Sequence, residues 1–492
     1  MPKPKAFLKQ AKPKSKKEQK LETADGFQAA GVEFEDAAGK WRAGDAAKSM
    51  RFFQRAIDAY SQGLQMFPQS IDLAYNKARV QLEIATHPVL IDQLQQPLKN
   101  LLEDALTSHL YALNLDPDNA DALFNISQVL TTIAEVMAND DEDATALKVL
   151  REALDYQSRC LSIQEQKYGE FLEQEKLVNE QGEAGSVGGT EAQSSADPEN
   201  TDEDGEWFNV VEPVTHDTLI DTVLAELGTL TTLCGILSSS PEVAPPDTLS
   251  WVENLSTNLL QKVKIFSDDK PERLQEIALA RVHLVSIILE AGYRSGNVNT
   301  EIYKRERDAA FAAADLQLEA STEALIANAR SLLAFSSALA DAQNDNAQTN
   351  LTIRWNALTD SIANLKSASS IKGIDQEDLA TTHLLRGDTS LFLCAMAFPP
   401  TSHQTAMNNA TQNAKNAEVY YRNASKLSPN PEEKDVASIK SAVAQYLQQY
   451  SQGQGQGDMS VLFSSSPRGQ QWVIEQLEDM VAEGLVPQAL LS

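Results

Sequence analysis

Three segments of this chain repeat one another at a nearly constant interval, and this self-similarity limits the possible fold more than any other feature. They align without gaps, so that Ala56 corresponds to Ala105 and then to Ala153, at intervals of 49 and 48 residues. Pro68 and Pro117 follow at the same place in the first two segments, where a proline ends one helix and begins the next turn. Hydrophobic residues make up 42% of the chain but aromatic residues only 6%. This balance favours helices rich in short apolar side chains over β-rich domains.

The residues within each segment resemble the tetratricopeptide repeat (TPR), a helix–turn–helix unit. Its second helix carries small, aromatic and small residues at positions 20, 24 and 27 and a proline at 32, filled here by Ala56, Tyr60, Gly63 and Pro68. Its first helix carries bulky, apolar, glycine and aromatic positions, filled here by Phe27, Ala30, Gly31 and Phe34. Two helices approach closely only where the side chains at their crossing are small, so the pattern predicts tightly packed helix pairs.

Each repeat is longer than the usual 34-residue unit by roughly 14 residues, which predicts helices of about 20 residues, some 30 Å long. Weaker copies of the signature occur at Leu227-Gly228, at Gly387 and around Tyr421, and Trp472 to Leu485 is predicted to form a closing helix. The predicted fold is an all-α, TPR-like α-solenoid, a right-handed superhelix of about seven helix pairs with extended helices.

Composition divides the chain into five predicted segments. They are a basic disordered tail (1–20), three extended TPR repeats (21–165), an acidic disordered loop (166–206), further TPR-like helix pairs (207–452), and a flexible link with the closing helix (453–492). The acidic loop is expected either to attract a basic partner or to remain solvated. Trp207-Phe208 after it is expected either to enter the core or to anchor a peptide.

The overall charge is acidic, because 41 Lys and Arg residues oppose 70 Asp and Glu residues and leave a net charge of −29. This excess disfavours direct binding to nucleic acid or to an anionic membrane, and no apolar run approaches the roughly 18 residues of a membrane span. Residues 1–20 instead carry +7, against −36 for the remainder. We expect a nuclear import receptor to bind this tail through Lys12, Lys14, Lys16 and Lys17, and the protein to occupy nucleus and cytoplasm. The alternative is a solubilising tail.

Motifs for catalysis are absent from the sequence, which contains no phosphate-binding loop, HExxH helix or GxSxG elbow. Cys160, Cys234 and Cys394 stand too far apart for a zinc-ligand pattern or a disulfide framework. His109 falls at position 24 and Cys160 at position 27, where packing explains both. We therefore expect no enzyme, no cofactor and no metal.

A peptide-binding groove is the remaining prediction, because first helices line the concave face of TPR solenoids with positions 2, 5, 6, 9, 12 and 13. The groove residues predicted by this register are Asp25, Gln28, Glu35, Asp36, Asp72, Tyr75, Asn76, Arg79, Glu83, Asp121, Phe124, Asn125 and Gln128. Six of them are acids and one is a base. Asn76 and Asn125 share position 6, where an amide can hold a peptide backbone or can support local helix packing.

The Lys-rich opening, the extended repeats and the acidic character together resemble the fungal TPR-repeat dedicated assembly chaperones of the large-subunit ribosomal protein uL4. This resemblance implies capture of newly made uL4, protection of its basic unfolded segment, nuclear transfer and release at the pre-ribosome. The predicted partners are the uL4 client and an import receptor, with no nucleic acid or membrane, and the chaperone is expected to be a monomer. Two alternatives remain at this point, a scaffold or adaptor joining larger assemblies and an enzyme whose site escapes motif search.

Overall fold

The computed structural model describes residues 22–184, 213–245, 247–341, 347–452 and 468–487. All regular structure within these ranges is helical, without a strand, and the long helices pack in pairs of chain neighbours. The predicted all-α solenoid of helix pairs is therefore confirmed. The chain divides into two compact units, one of Met1–Val136 with Asp155–Ile163 and one of Met137–Leu154 with Gln164–Ser492.

The repeats occupy the first seven helices. These are α1 (Ala24–Trp41), α2 (Ala46–Met66), α3 (Ile71–Thr86), α4 (Pro88–Ile91), α5 (Leu98–Leu115), α6 (Ala120–Asn139) and α7 (Asp143–Ala184). Helix α1 packs against α2, and α3 packs against α5. Side-chain caps begin the first helices, since Thr23 accepts a hydrogen bond from the backbone N–H of Gly26, and Ser70 accepts one from that of Leu73.

The close approach of α1 and α2 depends on glycine, as the repeat signature predicts. A Cβ added to Gly31 would lie 2.2 Å from the ring of Tyr60, and one added to Gly63 would lie 2.8 Å from Phe27. Tyr60 itself is fully buried. The small positions therefore let an aromatic side chain fill the helix crossing.

The extra length of the second repeat does not lie in longer helices, contrary to the prediction of about 20 residues for each. Helices α3 and α5 have 16 and 18 residues. Pro88 starts the four-residue α4, and Pro97 precedes α5. Proline cannot continue a helix from its interior, so the additional residues form a short helix and a connection.

Each repeat turn is also tied to the repeat that follows it. The hydroxyl of Tyr111 donates to the carbonyl of Pro68 at 2.6 Å, and the guanidinium of Arg159 donates to that of Pro117 at 2.6 Å. Both donors come about one repeat later in the chain. In both turns, the proline carbonyl thus accepts a hydrogen bond from a side chain of the next repeat.

Residues 166–184 of the predicted acidic disordered loop are helical, because α7 continues to Ala184. This stretch is rich in Glu, Gln, Leu and Lys, which are strong helix formers, and the prediction gave its charge too much weight. Residues 185–212 lie outside the described ranges, with Trp207-Phe208 among them. So do residues 1–21 and 453–467.

The second unit contains ten further helices among the described residues. They are α8 (His216–Ser239), α9 (Thr248–Phe266), α10 (Leu274–Arg294), α11 (Thr300–Phe311), α12 (Thr322–Asp341), α13 (Ala347–Ala368), α14 (Gln376–Ala395), α15 (Gln404–Leu427), α16 (Pro431–Ser451) and α17 (Gln470–Ala482). The predicted closing helix is present as α17, which begins two residues earlier and ends three residues earlier than predicted. Leu485 and Val486 after it are buried.

Helix α8 is the one described helix that is long and apolar enough to cross a membrane by length and composition, with a mean hydropathy of 1.4 over its most apolar window. Of that window, 61% is buried inside the protein, as in the core helix of a soluble protein. Gly228, assigned to a close crossing by the repeat signature, instead faces open space. Gly228 is therefore not a signature glycine, because no aromatic side chain of the described residues packs on it.

Candidate functional site

The predicted groove residues lie on α1, α3 and α6, the first helices of three repeats, and we call this surface the first-helix face. Two contacts join its helices. Arg79 of α3 forms an ion pair with Glu35 of α1, and the amide of Asn125 on α6 donates to the hydroxyl of Tyr75 on α3 at 3.2 Å. The register therefore brings residues of three separate repeats together.

Three of the predicted acids share one local position. Asp25, Asp72 and Asp121 each lie in the first turn of their helix, α1, α3 and α6 respectively. At the start of α6, the side chain of Asn119 also accepts a hydrogen bond from the backbone N–H of Ala122 at 2.9 Å. A carboxylate there interacts favourably with the positive end of the helix dipole, by about 0.3 to 1 kcal/mol. These acids therefore have a local role as well as a position on the face.

Glu35 is bound within the protein. The hydroxyl of Tyr60 donates to one of its oxygens, and the guanidinium of Arg79 donates to the other. Only 12% of the Glu35 side chain is exposed. Burial, together with the bond to Glu35 and its negative charge, raises the pKa of Tyr60 well above its ordinary value. Glu35 thus joins two repeats and does not offer a free charge.

Glu83 is paired as well, because Arg42 bonds to one oxygen and Arg79 lies 3.9 Å from the other. Arg42 follows the last residue of α1 and was missed by a register that considered only helix positions on the face. Of the six predicted acids, Glu35 and Glu83 are therefore neutralised by the two arginines, Arg79 and Arg42. Within the described residues no ion pair involves the four remaining acids, which are Asp25, Asp36, Asp72 and Asp121.

The two asparagines at position 6 have different environments. Asn125 is engaged with Tyr75, which supports the alternative of local helix packing for this residue. The side chain of Asn76 is half-buried and forms no hydrogen bond among the described residues. Asn76 is therefore the better candidate for contact with a peptide backbone.

Apolar and neutral residues also belong to the face. Tyr75, Phe124, Gln28 and Gln128 are half-buried. Burial and the negative charge of Asp121 raise the pKa of the Tyr75 hydroxyl. Val32, also on this face, is 42% exposed. The face thus carries partly exposed apolar surface together with carboxylates that form no ion pair among the described residues.

His109 and Cys160 are both fully buried, so the packing interpretation of the two residues is confirmed. The imidazole of His109 lies 6.2 Å from the ring of Tyr75, centroid to centroid. Burial lowers the pKa of His109 to about 4, so the ring is neutral near pH 7. In the described part of the chain, no cluster of three or more His, Cys, Asp or Glu residues could hold a metal ion.

The second unit contains a related cluster on α14, α15 and α16. A Cβ on Gly387 would lie 2.4 Å from the ring of Tyr421, and the hydroxyl of Tyr421 donates to Asp388 at 2.8 Å. Lys440 donates to the same carboxylate at 2.9 Å and lies 3.7 Å from Glu483. Sequence reasoning found the glycine and the tyrosine but not the charges around them.

The predicted import lysines, Lys12, Lys14, Lys16 and Lys17, lie outside the described residues. Their assignment stays a prediction.

Comparison with known proteins relates only part of this chain to a known sequence. No protein-family model matches the chain. Over 160 residues it is 30% identical to UPF0656 protein C926.02 of Schizosaccharomyces pombe, a match covering 32% of this chain and about a third (35%) of that relative. A solved circular tandem repeat protein with novel repeat topology aligns over 94% of this chain and 98% of its own, at 11% identity and a TM-score of 0.31.

Proposed function

We propose that this protein is a dedicated chaperone for a newly made, basic protein of the large ribosomal subunit, with uL4 as the suspected client. The client's unfolded basic segment binds the first-helix face, is protected from aggregation there, and is escorted to the nuclear pre-ribosome. The observation that carries this proposal is that four aspartates predicted for this face form no ion pair among the described residues, while Tyr75 and Phe124 on the same helices are partly exposed. Basic segments of ribosomal proteins lack their RNA phosphates before assembly, and carboxylates replace that charge.

The arrangement separates two kinds of contact. Exposed Asp25, Asp36 and Asp121, with half-buried Asp72, attract Lys and Arg side chains, and this attraction is screened over about 8 Å at physiological salt. Asn76 offers one donor and one acceptor to an extended backbone. Phe124 and Tyr75 supply apolar contact that salt does not screen. A client bound in this way loses affinity, but not all of it, as salt increases.

The test is titration of the labelled basic loop of uL4 onto the full chain at several salt concentrations. The test variant changes Asp25, Asp36, Asp72 and Asp121 to Asn. The matched control changes four exposed acids, Asp58, Asp92, Glu103 and Asp104, to their amides, so both variants carry the same net charge. With about 0.5 kcal/mol for each exposed charge contact, the test variant should bind roughly tenfold or more weakly near 0.15 M salt. Equal affinities of test and control variants would reject the first-helix face as the client site.

The second candidate function is a scaffold or adaptor that joins folded proteins. It is favoured by exposed apolar side chains near the Pro68 turn, where Met66 is 55% exposed and Leu110 and Tyr111 are each 40% exposed. A scaffold would retain folded partners and would not retain an isolated basic peptide. Pull-down with the uL4 loop alone therefore separates the two functions.

A further inference from the structure

The basic tail and the acidic first-helix face belong to one chain and have opposite charge. From this complementarity we propose that residues 1–20 occupy the first-helix face when no client is bound, and that client and tail compete for it. The inference rests on the proposed function, because it describes how the same face is regulated.

Charge complementarity is the first argument. The tail carries eight lysines and one glutamate, whereas Asp25, Asp36, Asp72 and Asp121 have no ion pair within the described residues. The arginines near the face are already engaged, since Arg42 and Arg79 bind Glu83 and Glu35. Excess negative charge therefore remains on the surface nearest to the tail.

The point at which the tail joins the fold is the second argument. Helix α1 begins at Ala24, and Asp25 is in its first turn, so the tail enters at the end of α1 that carries an acid of the face. Neighbouring helix axes are about 8 to 10 Å apart, which places α6 about 20 Å from α1 across α3. Twenty residues span at most about 66 to 72 Å when extended. The tail is long enough to reach Asp72 and Asp121.

Apolar contact is the third argument. The tail contains Phe7 and Leu8 among its lysines, and the face presents Val32 at 42% exposure beside half-buried Leu82 and Phe124. The tail thus has the chemistry expected of a client segment, basic with a few apolar side chains. A tethered segment acts at an effective concentration of the order of 1 mM, so even weak binding would compete.

Competition has a functional consequence for import. In the empty chaperone, Lys12, Lys14, Lys16 and Lys17 pair with aspartates and are not available to an import receptor. A bound client displaces the tail and releases these lysines. The loaded form is then imported in preference to the empty form.

The first experiment measures competition with the tail itself. A labelled peptide of residues 1–20 is titrated onto the full chain, onto a chain lacking residues 1–20, and onto that shortened chain with Asp25, Asp36, Asp72 and Asp121 changed to Asn. If the peptide's Kd for the shortened chain is about 100 µM, an intact tail near 1 mM effective concentration should weaken binding about tenfold. The Asn variant should lose binding, and the peptide with Lys12, Lys14, Lys16 and Lys17 changed to Gln should bind weakly. Equal binding to full and shortened chains overturns the inference.

The second experiment locates the tail directly. A carbodiimide activates a carboxyl group, which then forms an amide with a lysine amine in contact with it, and mass spectrometry identifies the linked pair. In dilute full chain, tail lysines should link to Asp36, Asp72 or Asp121, and added uL4 loop should reduce these products. Links to carboxylates elsewhere would contradict the inference.

The two hypotheses fail in different ways. If the uL4 loop binds full and shortened chains equally, the function stands and competition by the tail is rejected. If the loop binds neither form while tail lysines still link to the face, the tail docks there but the proposed client is wrong.

Discussion

The hairpins α1–α2 and α14–α15 solve the same packing problem in different surroundings. In each, a glycine on the first helix lies beneath a tyrosine of the second, Gly31 under Tyr60 and Gly387 under Tyr421. Each tyrosine hydroxyl donates to a carboxylate on the first helix, and a cation from the next first helix binds that carboxylate. A buried hydroxyl requires a partner, so the close crossing itself calls for the acid.

The surroundings of the two ion pairs differ. The side chain of Arg79 is 37% exposed and that of Lys440 is 13% exposed, whereas the carboxylates Glu35 and Asp388 are similarly buried, at 12% and 14%. Burial opposes the charge of Lys440, but Asp388 and Glu483 outweigh it and raise the pKa of the lysine. The comparison indicates that both clusters hold a buried carboxylate, and that the cation is partly open to solvent only in the first unit.

Removing the cations should give the largest difference between the hairpins. Lys440→Met leaves Asp388 buried without its cation, and breaking such a pair costs about 3 to 5 kcal/mol. Arg79→Met should cost less, about 1 to 3 kcal/mol, because water reaches the Arg79 side chain although Glu35 is as buried as Asp388. Hydrogen exchange of amides in α14 to α16 and in α1 to α3 measures the two effects separately. Similar losses of stability in both hairpins would show that the lower exposure of Lys440 does not make its ion pair more important than that of Arg79.

Adding one methyl group tests the close crossings. Gly31→Ala and Gly387→Ala should each lower the free energy of unfolding by about 1 to 3 kcal/mol, because the new Cβ collides with a tyrosine ring. Gly228→Ala in α8 is the matched control, because its Cβ meets nothing and alanine favours a helix interior by about 1 kcal/mol. Hydrogen exchange of the helix concerned measures each change. Stabilisation by Gly387→Ala would mean that Tyr421 moves aside without cost.

Acid should weaken the first unit through His109. Its pKa falls to about 4 on folding, from an ordinary value of 6.5. Between these values the unfolded chain binds more protons, so stability is lost as pH falls from about 6.5 towards 4, at up to about 1.4 kcal/mol per pH unit. His109→Phe should remove this dependence from α3 and α5, as measured by hydrogen exchange at pH 5 and pH 7. An unchanged pH dependence in the variant would assign the sensitivity to other groups.

The smallest expected effect concerns the first-turn acids. Asp72→Asn should cost the first unit only about 0.3 to 1 kcal/mol through the helix dipole, while weakening the salt-sensitive part of client binding. Thermal unfolding measures the first change, and titration with the uL4 loop measures the second. A large loss of stability with unchanged binding would make Asp72 a purely structural residue.

Sequence predicted the contacts that depend on size and spacing. Gly31, Tyr60 and Gly387 could be located because a close crossing permits few residue types at fixed positions. The pairs Glu35–Arg79 and Glu83–Arg42 could not, because they depend on side-chain reach between helices more than 40 residues apart in the chain. The position of the acid also differs between the two hairpins, since Glu35 lies four residues after Gly31 and Asp388 lies one residue after Gly387. Gly228 was misassigned because a Leu-Gly pair alone does not require an aromatic partner.

The link between each turn and the following repeat has a consequence for synthesis on the ribosome. The carbonyl of Pro68 gains its partner from Tyr111 and that of Pro117 from Arg159, residues made 43 and 42 positions later. As the chain emerges, each of these two carbonyls therefore lacks this partner until the residue that donates to it has left the exit tunnel. Each of the two turns can thus be tied only after the next repeat has been made.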